Sequence, residues 1–294
     1  MSAVRQEGMI DVPGGRVWYA RLGAGDALPI LLLHGGPGAG HDYLEPLAEA
    51  LAADRPVVIY DQLGCGRSPA PHDPSLWTLD RAVAELDAVR AQLGLERTHL
   101  LGQSWGGWLA IEYLARGTTG IESVVLASTS ASIHEFVAAA DLLIDAMPEP
   151  HRTALQQHGA RGDYAHPAYE AGAMEFYRRH VCRLDPWPDA MQRTVDNMDG
   201  NQVYLTMNGP NEFAVIGTLR DWDRTADLGR ITIPTLVTVG RYDEIAPSCA
   251  ETVARGIAGS QLVVFEHSAH CAHLEEVARY TEVVNAFLGR VEAA

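Results

Sequence analysis

Six short apolar runs alternate along this chain with stretches of helical spacing, and that alternation limits the fold more than any other feature. The runs are Pro29–Leu33, Pro56–Tyr60, His99–Leu101, Ile121–Ala127, Pro234–Val239 and Gln261–Phe265. Helical spacing occupies Leu44–Ala53, Thr78–Leu93, Trp105–Leu114, Ser248–Ile257 and His273–Leu288. A strand that is apolar at nearly every position is buried on both faces, so the pattern predicts an α/β fold: a mostly parallel central sheet flanked by helices. Met9–Leu22 alternates instead, around Pro13-Gly14-Gly15, and reads as a hairpin. Between about Ala131 and Ala226 the strands stop. Ile133–Met147, Pro150–Gln157, His166–Arg183 and Pro188–Met198 all carry helical spacing. Roughly 95 residues are too many for one crossover. The expected organisation is a core of residues 1–130 and 227–294 with an inserted helical lid, residues 131–226.

Each apolar run ends in a polar or glycine-rich segment, and in open parallel sheets ligands bind beyond the carboxyl ends of the strands. The most telling of these segments is Gly102-Gln103-Ser104-Trp105-Gly106-Gly107, set between a strand-like run and a helical one. A serine on a sharp strand-to-helix turn stands at the sheet edge with its hydroxyl free to attack a carbonyl. Such a hydroxyl needs a base, and the base needs an orienting acid. The chain order nucleophile, acid, histidine is met by Ser104, by Asp243 after the PTLVTV run, and by His270 after QLVVF. His267 follows its strand too closely to reach back over the sheet, and His273 opens the last helical stretch. Asp221 and Asp223 belong to the return from the lid. The run His34-Gly35-Gly36-Pro37-Gly38 presents bare backbone, and the amides of Gly36 and Trp105 are the expected oxyanion hole. His34 is read as a buttress of its loop, and Asp61-Gln62-Leu63-Gly64-Cys65-Gly66-Arg67-Ser68 as a shaped turn closing the site floor.

Composition narrows the chemistry. All 22 basic residues are arginine, which removes a P-loop lysine, a Schiff-base lysine and a Ser-Lys dyad. A net charge of −16 argues against nucleic acid or an anionic membrane as partner and suits attraction of a cation. Cys65, Cys182, Cys249 and Cys271 are scattered, with neither the spacing of a zinc site nor that of a disulfide framework. Neither a metal nor an organic cofactor is expected. The first residues lack the apolar stretch of a signal peptide and no apolar run approaches a membrane span, so a cytoplasmic location is expected.

Together HGGPG, DQLGCGRS, GQSWGG, GRYDE and HSAHCAHLEE resemble the proline iminopeptidase family of α/β hydrolases, from about residue 9 to 288. The segment Met207-Asn208-Gly209-Pro210-Asn211-Glu212-Phe213 is similar to the family's substrate-binding segment. The resemblance implies that Glu212, and Glu244 beside the acid, bind a free substrate amine. Two carboxylates suit a partly buried ammonium, which needs opposite charge and acceptors. Tyr204, Met207 and Phe213, with Trp105, are candidates for an apolar pocket that fits a proline ring, and equally Ala or Leu. The function implied is a serine aminopeptidase removing an N-terminal residue, proline first, from short peptides. The alternatives are an amino-acid amidase or esterase on a specialised metabolite and, third, a non-catalytic binding protein of the same fold.

Overall fold

The computed structural model describes residues 5–294. Eight strands, β1 (Arg5–Val12), β2 (Gly15–Leu22), β3 (Ile30–Leu33), β4 (Val57–Tyr60), β5 (Thr98–Gln103), β6 (Ile121–Ala127), β7 (Thr235–Gly240) and β8 (Gln261–Phe265), form one sheet. Its order is β1-β2-β4-β3-β5-β6-β7-β8. β1 pairs with β2, and β2 with β4, antiparallel, and every later pairing is parallel. The hairpin is longer than its alternation suggested, beginning by Arg5, and β5 continues past Leu101 to Gln103.

Helices α1 (Glu45–Leu51), α2 (Leu79–Gln92) and α3 (Trp105–Ala115) connect the central strands, and α4 (Ile133–Asp145), α5 (His151–Gly159), α6 (Pro167–His180), α7 (Asp189–Met198) and α8 (Gln202–Met207) follow β6. After β7 come α9 (Pro247–Gly256), α10 (Ala272–Glu275) and α11 (Val277–Glu292). The strands feed two cores, because successive side chains point to opposite faces. Leu31 and Leu33 of β3, with Val58 and Tyr60 of β4, join α2, α3 and α9 on one face. Ile30, Leu32, Val57 and Ile59 join α1, α10 and α11 on the other. This explains why the central strands read as unbroken apolar runs.

Two elements depart from the expected pattern. The last helical stretch is broken at Glu276 into α10 and α11. The break places Glu275 under the preceding loop, where its carboxylate accepts the Ala269 amide at 2.5 Å. α8 was not anticipated. It starts at Asn201, whose side chain accepts the amides of Val203 and Tyr204. Between β6 and β7 the chain forms no strand of the sheet. Its return is tied to α3 through buried Glu112, which accepts two hydrogen bonds from Arg224, at 2.7 and 2.9 Å, and one from Trp222 at 3.1 Å. Burial alone would raise the Glu112 pKa, but these donors and Arg116 pull it down to about 2. Among the described residues no helix is long and apolar enough to cross a membrane.

Candidate active site

Ser104 sits between the last residue of β5 and the first of α3, with φ 57° and ψ −121°. A non-glycine residue in that region is strained, and the surrounding structure must hold it there. Two close approaches do so. A Cβ on Gly106 would lie 2.1 Å from the Leu33 carbonyl oxygen, and one on Gly102 would lie 2.3 Å from the Gly106 carbonyl oxygen. The turn therefore packs backbone against backbone, which only glycine at both positions allows. The Ser104 amide donates to Ala127 O at 2.9 Å, and Thr129 Oγ1 donates to Ser104 O at 3.0 Å. The serine is 5% exposed, and its hydroxyl has no hydrogen-bond partner among the described residues.

Asp243 and His270 follow β7 and β8 and meet in space. His270 Nδ1 lies 2.7 Å from Asp243 Oδ1, which also accepts the Ile245 amide at 2.9 Å. The other ring nitrogen, Nε2, lies 3.7 Å from Glu244 Oε1. Both loops hang from one carbonyl at the end of α6: His180 O accepts the amides of Glu244 and His270 at 3.0 and 3.2 Å. Burial disfavours a charged imidazole, yet Asp243, Glu244 and Glu212 outweigh it and push the His270 pKa up to about 9. The acids around His270 thus favour its charged form, and a titration near the free-imidazole value, about 6.5, is not what this environment gives.

Apart from His270, no basic side chain pairs with the carboxylates beyond it among the described residues. Glu244 is 1% exposed, and its Oε2 has no hydrogen-bond partner among the described residues. Burial raises its pKa well above the usual carboxylate range; the His270 charge opposes this, and Glu212 and Asp243 add to it. Glu212 accepts a hydrogen bond from the Tyr204 hydroxyl at 2.9 Å, and burial raises its pKa too. A buried Glu244 and a half-buried Glu212 close enough to raise its pKa favour a neutral form or a cation beside them.

The Gly35 amide is taken by the Tyr43 hydroxyl at 2.7 Å, whereas the amides of Gly36 and Trp105 make no hydrogen bond among the described residues. His34 is a buttress in atomic detail. Its Nε2 accepts the Gln62 amide at 3.0 Å and its Nδ1 lies 2.8 Å from Gly35 O, while burial lowers its pKa and keeps the ring neutral. Asp61 is fully buried and accepts the amides of His41 and Arg67, a turn-shaping role. The other histidines lie apart from this chemistry: His267 is exposed, and His273 is buried with its pKa lowered to about 3 by burial and the His270 charge. Asp221 and Asp223 are exposed. All four cysteines are free and buried, and burial raises the Cys65 pKa.

A cavity of about 790 Å³ lies among α6, α7 and α8, with Tyr204 and Glu212 in its wall. Met207 and Phe213 are not in that wall. Phe213 packs its ring on Phe176, 4.7 Å between centroids, and Met207 is buried in the same core. Tyr177, Trp187 and Met191, which the sequence reading did not single out, line the cavity instead. Helical spacing marks such residues as buried but not which wall they face. Gln62, Tyr43 and Gln103 were missed as well. They act through hydrogen bonds between loops far apart in sequence, and no local pattern announces those. Among the described residues one group has metal-ligand proximity: His158 in the last turn of α5, with Asp163 and His166 on the α5–α6 connection. Local bonds already engage it. Asp163 holds His158 Nδ1 at 3.1 Å, and His166 Nδ1 caps α6 by accepting the Ala168 amide at 3.1 Å.

Residues 29–277 match the family model described as alpha/beta hydrolase fold. A proline iminopeptidase of Saccharolobus solfataricus is 38% identical over 288 residues, covering 97% of this chain and 93% of the relative. One from Levilactobacillus brevis is 44% identical over 256 residues, covering 86% and 85%. Among solved structures, the proline iminopeptidase of Mycobacterium smegmatis superposes with a TM-score of 0.91 at 38% identity, covering 98% of this chain and 99% of that one. The protein VinJ superposes with a TM-score of 0.93 at 37% identity, covering 97% and 99%.

Proposed function

The chain belongs to the proline iminopeptidase family of α/β hydrolases, and from that premise we propose that it is a serine aminopeptidase releasing an N-terminal residue, proline foremost, from short peptides. The observation that carries this reading is the pair of acids, buried Glu244 and half-buried Glu212, which face no basic side chain other than His270 among the described residues, with Glu244 on the Nε2 side of that ring and Asp243 on the Nδ1 side. A substrate's ammonium or iminium held there supplies the missing charge. Recognition of a free N-terminus then fixes which carbonyl can meet the serine.

The proposed chemistry is acyl transfer through Ser104. Ser104 loses its proton to His270 and attacks that carbonyl, and the tetrahedral oxyanion is received by the Gly36 and Trp105 amides. His270, oriented by Asp243 through the 2.7 Å bond, protonates the departing amine, and water hydrolyses the acyl-enzyme. Glu244 lies close enough to His270 Nε2 that a bound substrate cation lowers the imidazole pKa. The substrate's own amine thereby turns the histidine from acid to base. Residues 131–226 serve as a lid over the core formed by 1–130 and 227–294. Support comes from the His180 carbonyl that holds both catalytic loops and from Asn201, whose side chain donates to Gly64 O at 3.0 Å.

The test is turnover of a panel of aminoacyl anilides, amino-acid amides and neutral esters by purified protein, with Ser104→Ala beside it. The parent is expected to prefer prolyl anilide, and Ser104→Ala to lose turnover by about 10⁴-fold or more while keeping its fold. Substantial activity in clean Ser104→Ala contradicts the nucleophile assignment. A parent preference for neutral esters contradicts the peptidase reading.

A further inference from the structure

The two amides assigned to the oxyanion come from separate segments, the loop after β3 and the start of α3. Something must fix their spacing, because hydrogen-bond donors aimed at an oxyanion act only within tenths of an ångström. One buried side chain touches both segments. Gln62, just after β4, donates from Nε2 to His34 O at 3.0 Å and accepts from Trp105 Nε1 at 2.8 Å. Its backbone amide donates to His34 Nε2 at 3.0 Å, and its carbonyl accepts the Cys65 amide at 2.9 Å. The carboxamide has one possible orientation. An indole can only donate and a carbonyl can only accept, so Oε1 must face Trp105 and Nε2 must face His34.

The effect on the loop is specific. The His34–Gly35 peptide is held at its oxygen by Gln62 and at its N–H by the Tyr43 hydroxyl. With that plane fixed, the next amide, Gly36, has little freedom left. On the other side the Trp105 indole is held by the same carboxamide, at the residue whose backbone N–H is the second donor.

We propose that Gln62 is a positioning residue that sets the separation of the Gly36 and Trp105 amides, acting on the transition state rather than on substrate binding. The inference rests on the serine-hydrolase reading above. A glutamate at this position loses the donor toward His34 O, and an apolar residue leaves both that carbonyl and the indole N–H buried without partners.

The experiment uses the full chain with Gln62→Met, Trp105→Phe and the double variant, first checked for folding by circular dichroism and thermal melting. Turnover is measured on prolyl anilide and on p-nitrophenyl acetate. Inhibition is measured with prolinal, an aldehyde whose hemiacetal with Ser104 carries the oxyanion, and with proline, which carries none. Misplacing one donor is expected to lower kcat about 10- to 100-fold, with KM and proline inhibition changed less than about threefold. Prolinal should weaken by the same factor as kcat/KM falls. The double variant should be no worse than the poorer single one, since both remove one bridge. Unchanged kcat and prolinal binding in a folded Gln62→Met overturns the proposal, as does equal weakening of proline and prolinal. If Gln62→Met does not fold, Trp105→Phe alone decides, because it cuts the bridge from the other side and leaves the backbone donor in place. A parent that cleaves the ester but not the anilide refutes the peptidase reading alone, because ester cleavage passes through the same oxyanion and still tests Gln62.

Discussion

At the residue scale the site is organised by charge that is left unbalanced. Asp243 and Glu244 flank the two ring nitrogens of His270 and favour its charged form, and Glu244 Oε2 has no hydrogen-bond partner among the described residues. The kcat/KM profile reports the free enzyme, so its acid limb should sit well above the free-imidazole value of about 6.5 and toward 9. The kcat profile reports the enzyme with a cation already at the acids, so its acid limb should lie at lower pH. In Glu244→Gln the kcat/KM limb should move down, because one of the charges that holds the proton is gone. Identical limbs in kcat and kcat/KM, unmoved by Glu244→Gln, contradict the coupling. The same site affects stability. His270 has a folded pKa above its unfolded one, so the stability its proton confers is full below about pH 6.5 and lost as pH rises toward 9. Glu244 has a raised pKa as well and opposes folding once it must ionise while buried. Glu244→Gln should therefore melt higher than the parent at pH 9, by roughly 2–4 °C for about 1 kcal/mol, while losing activity. A lower melting temperature for that variant at pH 9 contradicts this account.

At the element scale the strand-to-helix turn carries the site, and its glycines are structural necessities. Gly106→Ala would drive a methyl into the Leu33 carbonyl at 2.1 Å, where no side chain can move aside. The expected cost is about 3 kcal/mol or more, seen as a large drop in the urea midpoint. A fully folded Gly106→Ala of parental stability would mean the turn is looser than described. This turn was legible in the sequence because its chemistry is local: a glycine two residues either side of Ser104, a strand before and a helix after. The strands were legible for a similar reason, since β6 occupies the same seven residues as its apolar run. α8 was not, because six residues opening on an asparagine cap carry too short a period to register. The break at Glu276 was missed because Glu275 and Glu276 both fit a helix; their carboxylates accept hydrogen bonds from the preceding loop, from the Ala269 amide and the Ser268 hydroxyl, contacts that no local pattern announces. Met207 and Phe213 were expected to line a substrate pocket but are buried in the core and absent from the cavity wall, a distinction that depends on tertiary packing.

At the scale of the whole molecule, the net charge of −16 and the acids at the site act in the same direction on a cationic substrate. Association of prolyl anilide should weaken with ionic strength, kcat/KM falling several-fold between about 20 and 500 mM salt. p-Nitrophenyl acetate, which is neutral, should show little dependence. Equal salt dependence for both substrates contradicts steering by charge. Glu212 comes from the turn after α8 and Glu244 from the loop after β7, so the proposed amine receptor is complete only when the two segments are together. The most direct test of that receptor is kcat/KM for prolyl anilide and N-acetyl-prolyl anilide, measured in parallel on the parent and on Glu212→Gln. A charge-assisted hydrogen bond contributes about 1.5–3 kcal/mol. The parent should therefore prefer the free amine by about tenfold to more than a hundredfold, and Glu212→Gln should lose most of that preference by weakening on the free amine alone. Equal efficiency of the parent on free and acetylated substrates would contradict the amine receptor and with it the aminopeptidase reading.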